Sequence, residues 1–595
     1  MAPMVPNVAG QDGSVTEEYL NFYLARARAH VGFIILGAAY VHLDGKGFER
    51  QLGIYNDGLL PGLENLVQSL SKHTRVGVQL SFKSLNMLPE SFRLSDIREY
   101  RSAFVRAAIR AKECGFDAVE LHACHDYWLN YFLSPHFNHR SDAYGGILEN
   151  RFRLLKETID AVREAAGDAL ILGVRLSMDE FVEDGLTASE TLTVGRWLEN
   201  AGADYISASG GIGITQHRMN PPMEVERGSL LPFARALKQV VSIPVIGVGR
   251  LDRPGIFREA ISSEHADLAA VARALVADPE YVAKTLEGRD KDIRPCVACN
   301  FCLMRLQSGE PLRCAVNPRV GRDISPVPPL KRKLKVVVVG GGPAGLSFAA
   351  HAALRGAEVK LYEKTPVLGG AINVGKRPPF KDVLQDLIDH LVKSAEESGV
   401  EIQKGREATV ETFRLEAPDK IILATGAINL ELQISGLDTI GGVFSPEEIL
   451  SAANVASGRY LVAGGGTVGL ETAEFLAEFR VPITLIEMTD IVGQGLHFTR
   501  LNLLLERIKR AGVKLMKKTR LISFEGKMAQ VEIQERTMQL GPFDFIVFAV
   551  GSRSNRKLAE AIGNKYPVEL IGDAAQPRSI YEAISEGFEA ALNLK

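Results

Sequence analysis

The stretch LKVVVVGGGPAGLSFAAHAALRGAEVKLYEK, Leu334–Lys364, decides the architecture of the second half of the chain. An unbroken apolar run reads as a buried parallel strand, followed by a glycine turn, a helix of small residues and a second strand ending in Glu363. Gly340, Gly342 and Gly345 stand at the three glycine positions of a dinucleotide-binding fingerprint. The first permits the tight turn, and the second lets a pyrophosphate approach the backbone. The third, next to Ala344, lets helix and strand pack closely with the phosphates at the helix N-terminus. Glu363 is placed to accept from a ribose hydroxyl. Strand, turn, helix and terminal acid are all in register, which a chance glycine turn does not supply.

The same grammar recurs at Tyr460–Met488, YLVAGGGTVGLETAEFLAEFRVPITLIEM, with Gly464, Gly466 and Gly469 and with Glu487 closing the second strand. Two fingerprints imply two dinucleotides, or one dinucleotide and a decayed copy. Glu487 favours NADH over NADPH, because a carboxylate there accepts from the 2′-hydroxyl and repels a 2′-phosphate.

Upstream lies ISPVPPLKRKLK, Ile324–Lys335, a proline-rich basic connector that reads as a linker. From the N-terminus to about Asp290 short apolar strands such as VGVQLS, FDAVELHA, LILGVRLS and IPVIGVG alternate with amphipathic helices. Strict alternation implies a parallel sheet, either doubly wound or closed into a barrel. Seven strands are visible, and MAPM at the start reads as the end of another, which favours the barrel. Met1 falls where that first strand should finish, so the strand is expected to be largely missing from this sequence. The expected fold class is α/β. A (β/α)8 TIM barrel over 1–290 precedes a cysteine segment and linker over 291–330. Two Rossmann-like dinucleotide domains follow, one over 331–455 with 541–595 and the other over 456–540.

A chain of 595 residues is too long for one core. The net charge of -3 gives no reason to expect nucleic acid or an anionic membrane as partner. No basic and apolar leader opens the sequence and no apolar run is long enough for a membrane span, so a cytoplasmic location is expected. A homo-oligomer is left open.

Six cysteines are too few for a secreted disulfide scaffold. Four of them, Cys296, Cys299, Cys302 and Cys314, fall in RPCVACNFCLMRLQSGEPLRCAVNPRVGRD, spaced C-x2-C-x2-C-x11-C. A tight triple run with a distant fourth resembles the cysteine runs of iron–sulfur proteins more than the paired ligands of structural zinc, but spacing alone leaves both open.

The second half also resembles the two-dinucleotide flavoprotein disulfide reductases. LATGA (Leu423–Ala427, including Gly426) and FAVGS (Phe548–Ser552) match the strands at the domain crossing, and Asp573 in ELIGDAAQPRSI matches the aspartate that binds the flavin ribityl chain. That resemblance implies FAD on the first fingerprint and NAD(H) on the second. No cysteine lies beyond Cys314, so the redox cysteine pair of many of these reductases is missing.

The first half resembles the old yellow enzyme family, and the whole chain is similar to its long multidomain branch of 2,4-dienoyl-CoA reductase, trimethylamine dehydrogenase and enoate reductases. GFDAVELHACHDYWLNYFLSPHFNHRSDAYGGILENR, Gly115–Arg151, is the most specific block. The resemblance implies FMN beside Ala2, Pro3, Met4, Gly37 and Ala38. It places Gln79 on the pyrimidine edge, Arg175 near flavin N1, and Gly249, Arg250, Ala272 and Arg273 at the phosphate. His122 and His125 match the pair that bonds a substrate carbonyl, and Tyr127 the proton donor to the carbon opposite the hydride. It also implies a [4Fe–4S] cluster on the four cysteines.

Several positions depart from the pattern. Val5 stands where trimethylamine dehydrogenase tethers FMN through a cysteine, which disfavours amine oxidation. Thr215 stands where dienoyl-CoA reductases have a further histidine, with His217 two residues on. Asp126 stands where glycine is usual, either tuning Tyr127 or facing solvent. The expectation is an NAD(P)H-dependent ene-reductase in which electrons pass from NADH to FAD, the cluster, FMN and finally a carbonyl-conjugated C=C bond of a small unsaturated substrate. A dedicated 2,4-dienoyl-CoA reductase, an amine dehydrogenase and a non-catalytic redox relay are the alternatives.

Overall fold

Continuous apolar runs become parallel strands in both halves of the computed structural model, which describes residues 1–85, 87–322 and 327–595. Ile324, Ser325 and Pro326 of the expected linker, and Asp323 before them, lie outside the described residues. The chain divides into two units, Met1–Ile324 and Ser325–Lys595.

In the first unit seven parallel strands lie side by side in sequence order. They are β1 (Phe33–Tyr40), β2 (Arg75–Ser81), β3 (Ala118–Ala123), β4 (Ile171–Ser177), β5 (Tyr205–Ser209), β6 (Val245–Gly247) and β7 (Leu268–Ala269). Helices such as Leu94–Glu113 and Leu148–Ala166 join them, each burying one apolar face at the spacing its sequence dictates. The register pairs His122 with Arg175 on β4 and Arg175 with Ser207 on β5, so polar side chains collect at one end of neighbouring strands.

Met1 and Ala2 bridge the seam between the first and last strands. The Ile35 amide donates to the Met1 carbonyl at 3.2 Å, and the Ala2 amide donates to the Val271 carbonyl at 2.9 Å. These residues stand at the place assigned to the end of a further strand.

The turn after β3 is anchored by Trp128, which is fully buried among Phe82, Phe92, Phe104 and Phe132. Its amide donates to the Phe82 carbonyl at 3.0 Å, tying this turn to the one after β2. Such an aromatic cluster gives the polar turn beside it a fixed base.

The second unit holds two five-stranded parallel sheets. One places β8 (Lys335–Val339) between β9 (Glu358–Glu363) and β11 (Lys420–Leu423), with β10 (Glu401–Lys404) and Val568–Leu570 at the edges. The other takes strands Tyr460–Ala463, Ile483–Ile486 and Lys514–Met516 together with Gly442–Phe444 and Phe545–Phe548. It therefore draws strands from both sides of the 456–540 segment. A two-stranded ribbon, Ala427–Asn429 against Ser552–Ser554, carries the LATGA and FAVGS crossings. Among the described residues no helix is long and apolar enough to cross a membrane.

Candidate active site

β3 delivers His122 near its end, and the chain then turns through His125 and Asp126, both with left-handed backbone at φ 60° and 61°. Two consecutive residues of that kind fold the chain back sharply and return the second imidazole to the first. His122 Nε2 lies 3.3 Å from His125 Nδ1, and His125 Nε2 lies 2.8 Å from the Ser209 hydroxyl. Arg175 Nη2 donates to that same hydroxyl at 3.2 Å, so the ends of β3, β4 and β5 form one polar group. The Tyr127 ring stacks on His122 with centroids 3.8 Å apart. On Tyr127 the Lys83 ammonium sits 4.8 Å from the ring centroid, and it also donates to the Asp126 carbonyl at 2.9 Å.

Burial, reinforced by the charge of Arg175, holds both imidazoles well below the ordinary histidine value, so both are neutral. Burial raises the Tyr127 phenol, with Cys124 and Asp126 adding to the shift. Asp126 does not face solvent: its carboxylate accepts from the Gly213 amide at 2.7 Å, latching the loop after β5 to the turn after β3. It also adds to the upward shift of Tyr127, which favours the tuning role over the solvent-facing one weighed from sequence. Thr215 is spent on structure, its hydroxyl accepting from the Ile212 amide at 2.9 Å and donating to the Glu180 carbonyl at 2.8 Å.

A cavity of about 110 Å³ brings together Ala2, Pro3, Met4, Arg175, Gly249, Arg250, Ala272 and Arg273. Gly37 is linked to it through Tyr23, whose hydroxyl accepts from the Gly37 amide at 2.9 Å and donates to the Met4 carbonyl at 3.0 Å. Ala38 offers its carbonyl to the Gln51 side chain. Gln79 is buried and gives its amide nitrogen to Glu120 at 2.7 Å. Arg250 spends its guanidinium on the Pro222 and Met223 carbonyls, at 3.2 and 3.0 Å, and on Asp252. Arg273 spends its own on the Pro221 carbonyl at 2.8 Å and on Asn300. Arg175 Nε and Nη1 and His122 Nδ1 are buried polar atoms without a hydrogen-bond partner. Orphaned donors of this kind are costly unless a polar ligand meets them, which fits a flavin ring and an acceptor at this end of the strands.

The four cysteines surround a second cavity, and Cys296 and Arg273 line both. None of the four is in a disulfide. Burial pushes Cys296 up to about 11, Cys314 up to about 12, and Cys302 well above the ordinary thiol value. Four sulfurs around one cavity, three of them resisting ionisation by themselves, are a donor set suited to a highly charged metal centre, which supplies the missing positive charge.

In the second unit the two fingerprints are built alike. A Cβ on Gly345 would lie 2.0 Å from the Gly340 carbonyl oxygen, and one on Gly469 would lie 1.9 Å from that of Gly464. Only glycine allows that approach of helix to turn. Glu363 accepts from the Gly341 amide at 2.8 Å and Glu487 from the Gly465 amide at 2.7 Å, bracing each turn. Each carboxylate also accepts from the threonine two residues on, Thr365 and Thr489, with amide distances of 2.8 Å in both. The helices that follow, Pro343–Leu354 and Thr467–Glu478, have Gly342 and Gly466 at their N-caps and no side-chain cap, which leaves the free amides of the first turn for phosphate. Ala344 lies buried at the start of the first helix. That helix packs on the C-terminal helix, where the Ser347 hydroxyl donates to the Ile584 carbonyl at 2.8 Å. Asp573 accepts from the Arg578 amide at 3.0 Å, with burial raising its carboxyl. Gly426, at φ 73°, links β11 to the ribbon.

Sequence reasoning missed Ser209, which joins His125 to Arg175, and Lys83, which braces the turn after β3. Ser209 ends β5 in DYISASGG, so a strand-end position was the available signal. Lys83 carried none, because its role depends on where the loop after β2 crosses.

The model of the NADH:flavin oxidoreductase / NADH oxidase family matches residues 1–86 and 83–292. The model of the pyridine nucleotide-disulphide oxidoreductases matches residues 334–579. The chain is 34% identical over 639 residues to an NADH oxidase of Thermoanaerobacter brockii, covering 100% of this chain and 96% of that one. It is 31% identical to a cinnamate reductase of Clostridium sporogenes, again over 100% and 96%. Among solved structures, a complex of 2-naphthoyl-CoA reductase with 2-naphthoyl-CoA superimposes with a TM-score of 0.94 at 26% identity, covering 100% of this chain and 96% of that one.

Proposed function

We propose, from the premise that the chain belongs to the NADH:flavin oxidoreductase / NADH oxidase family in a long form carrying a pyridine nucleotide-disulphide oxidoreductase half, that it is a cytoplasmic NADH-dependent ene-reductase of carbonyl-conjugated alkenes. Enoates are the substrate class preferred. The observation that carries the reading is the assembly at the end of β3, where two neutral imidazoles and a protonated phenol stand together. The relative named cinnamate reductase supports it.

FMN beside Arg175, FAD on the Gly340 fingerprint, NADH on the Gly464 fingerprint and a [4Fe–4S] cluster on the four cysteines would supply hydride and single-electron chemistry. The chain's own residues do the rest. His122 Nδ1, buried and unpartnered, is the free group for a substrate carbonyl oxygen. Its other nitrogen is occupied by His125, whose ring is set by Ser209. A hydrogen bond to that oxygen draws electrons from the conjugated β-carbon, which makes it the acceptor of hydride. Tyr127 keeps its proton at neutral pH and is the donor to the neighbouring carbon. Arg175 holds a positive charge where the reduced ring carries a negative one. Asp126 and Lys83 fix the turn from both sides.

The test is anaerobic. Purified protein with its flavins, iron and sulfide measured is given NADH and a panel of enoates, enoyl thioesters, cyclic enones and methylamines. Saturated product from an enoate supports the reading. Reduction of the flavins by a methylamine, with no alkene reduced, sinks it.

A further inference from the structure

One nitrogen in this site is asked to serve two neighbours at once. His125 Nδ1 is approached by His122 Nε2 at 3.3 Å and by the Cys124 sulfur at 3.2 Å, while its other nitrogen is held by Ser209 at 2.8 Å. A ring nitrogen has a single lone pair or a single proton to offer, so hydrogen bonding satisfies one of these two contacts and leaves the other weak. A metal ion in place of the shared proton satisfies all three atoms together.

We propose that His122, Cys124 and His125 form a binding site for a thiophilic divalent cation, with zinc as its probe. The three donor atoms lie within 4.8 Å of one another. A triangle with sides of 3.3 and 3.2 Å and a third side no longer than 4.8 Å has a point about 2.4 Å or less from every corner. That upper limit lies just above the lengths of zinc to imidazole and thiolate, about 2.0–2.3 Å, so at most a small closing of the turn brings all three donors into range. Three protein ligands leave a fourth position for water.

The surroundings suit it. The hydroxyl of Ser209 fixes the His125 ring from outside the ligand set, which leaves Nδ1 bare toward the other two donors. His122 Nδ1 has no hydrogen-bond partner, so the ring's proton can sit there with Nε2 bare, and the contact given up is the one to His125 Nδ1 that the ion replaces. Cys124 loses its proton to solvent as zinc binds, with no change of oxidation state. The charge left on the site is shared with Arg175 and with the carboxylates of Glu120 and Asp126, all of which act on Cys124. His122 and Cys124 are buried, and His125 is the partly exposed member through which an ion gains access.

Zinc bound here pins both imidazoles and adds positive charge beside Arg175, so alkene reduction is expected to stop. That last consequence rests on the proposed function, whereas the binding itself does not. The test uses the protein with both flavins and its iron in place, as wild type and as Cys124→Ala and Cys124→Ser. Zinc is added in slight excess, the protein is desalted, and zinc content, the zinc K-edge spectrum and FMN content are read. The wild type is expected to retain one zinc per chain more than either variant, with two nitrogens and one sulfur around it. Equal zinc in all three proteins with FMN retained, or an all-sulfur shell, overturns the site. Alkene reduction is expected to fall at least tenfold with zinc in the wild type and to be spared in Cys124→Ala. If no protein reduces an alkene yet the one-sulfur zinc is present only in the wild type, the site stands and the ene-reductase reading falls.

Discussion

Tyr127 lies nearly flat on His122, their ring centroids 3.8 Å apart and their planes inclined by 27°. The contact holds the phenol against the imidazole whose free nitrogen faces the proposed carbonyl position. Tyr127→Phe keeps the stack and removes the hydroxyl. Alkene reduction should fall about a hundredfold or more, the usual scale for losing a general acid. NADH-driven dye reduction, which needs only the second unit, should be unchanged. Stopped-flow traces with each acceptor separate the two.

The charge state of the imidazoles sets the pH dependence. Burial first and Arg175 second hold His122 and His125 well below the ordinary histidine value of about 6.5. Both stay neutral as pH falls through that value, so alkene reduction should hold level from roughly pH 8 to pH 6. Stability moves the other way. The unfolded chain takes up protons below about 6.5 that the folded imidazoles refuse, so stability is full above that pH and declines below it. A rate that is lost with a midpoint near 6.5 contradicts neutral imidazoles.

Asp126 links two loops through the Gly213 amide, and that loss is measurable. Asp126→Ala leaves a partly buried amide without its acceptor, which costs up to about 1 kcal/mol. Thermal unfolding should shift down, and KM for the alkene should rise more than kcat falls. Asp126→Asn keeps an oxygen for the amide and should restore most of both. A variant that changes only the pH profile would assign Asp126 to tuning Tyr127 alone.

The cysteine cavity is expected to hold iron. Cys302→Ser should remove iron and acid-labile sulfide and halt NADH-driven FMN reduction, while transfer from NADH to FAD persists. Full iron content in the variant, or FMN reduced at the wild-type rate, contradicts the cluster assignment.

The paired fingerprints make separable predictions. Gly469→Ala puts a methyl 1.9 Å from the Gly464 carbonyl oxygen and should abolish NADH oxidation while leaving FAD bound. Gly345→Ala, at 2.0 Å from Gly340, should lower FAD content itself. Flavin extraction and NADH titration distinguish them.

Much of this was legible from residue types in register. LKVVVV, a glycine turn and Glu363 specify a local unit whose geometry depends on neighbours a few residues away, and the second copy repeats it down to the threonine two residues after each glutamate, Thr365 and Thr489. The histidine pair was legible because His122 and His125 share one turn. Contacts that join distant strands were not. Ser209 meets His125 across 84 positions, and Asp126 meets Gly213 across 87, so both depend on β3 and β5 flanking β4 in the sheet rather than on local pattern. The two arginines expected at a phosphate show a different limit. The resemblance singles out Arg250 and Arg273 and the structure brings both to the cavity, but only packing reveals that their guanidinium groups are largely engaged by the carbonyls at 221–223 and by Asp252 and Asn300.

The most direct measurement is anaerobic reduction of cinnamate by NADH in D2O, with the product analysed by mass and NMR. One saturated acid per NADH consumed, deuterated at both former alkene carbons, is expected, because a single-electron relay carries no hydrogen from NADH to the β-carbon and Tyr127 delivers a solvent-derived proton to the carbon next to the carboxyl. Steady NADH oxidation by a dye, with full flavin and iron content and no saturated product from any conjugated carbonyl, contradicts the account.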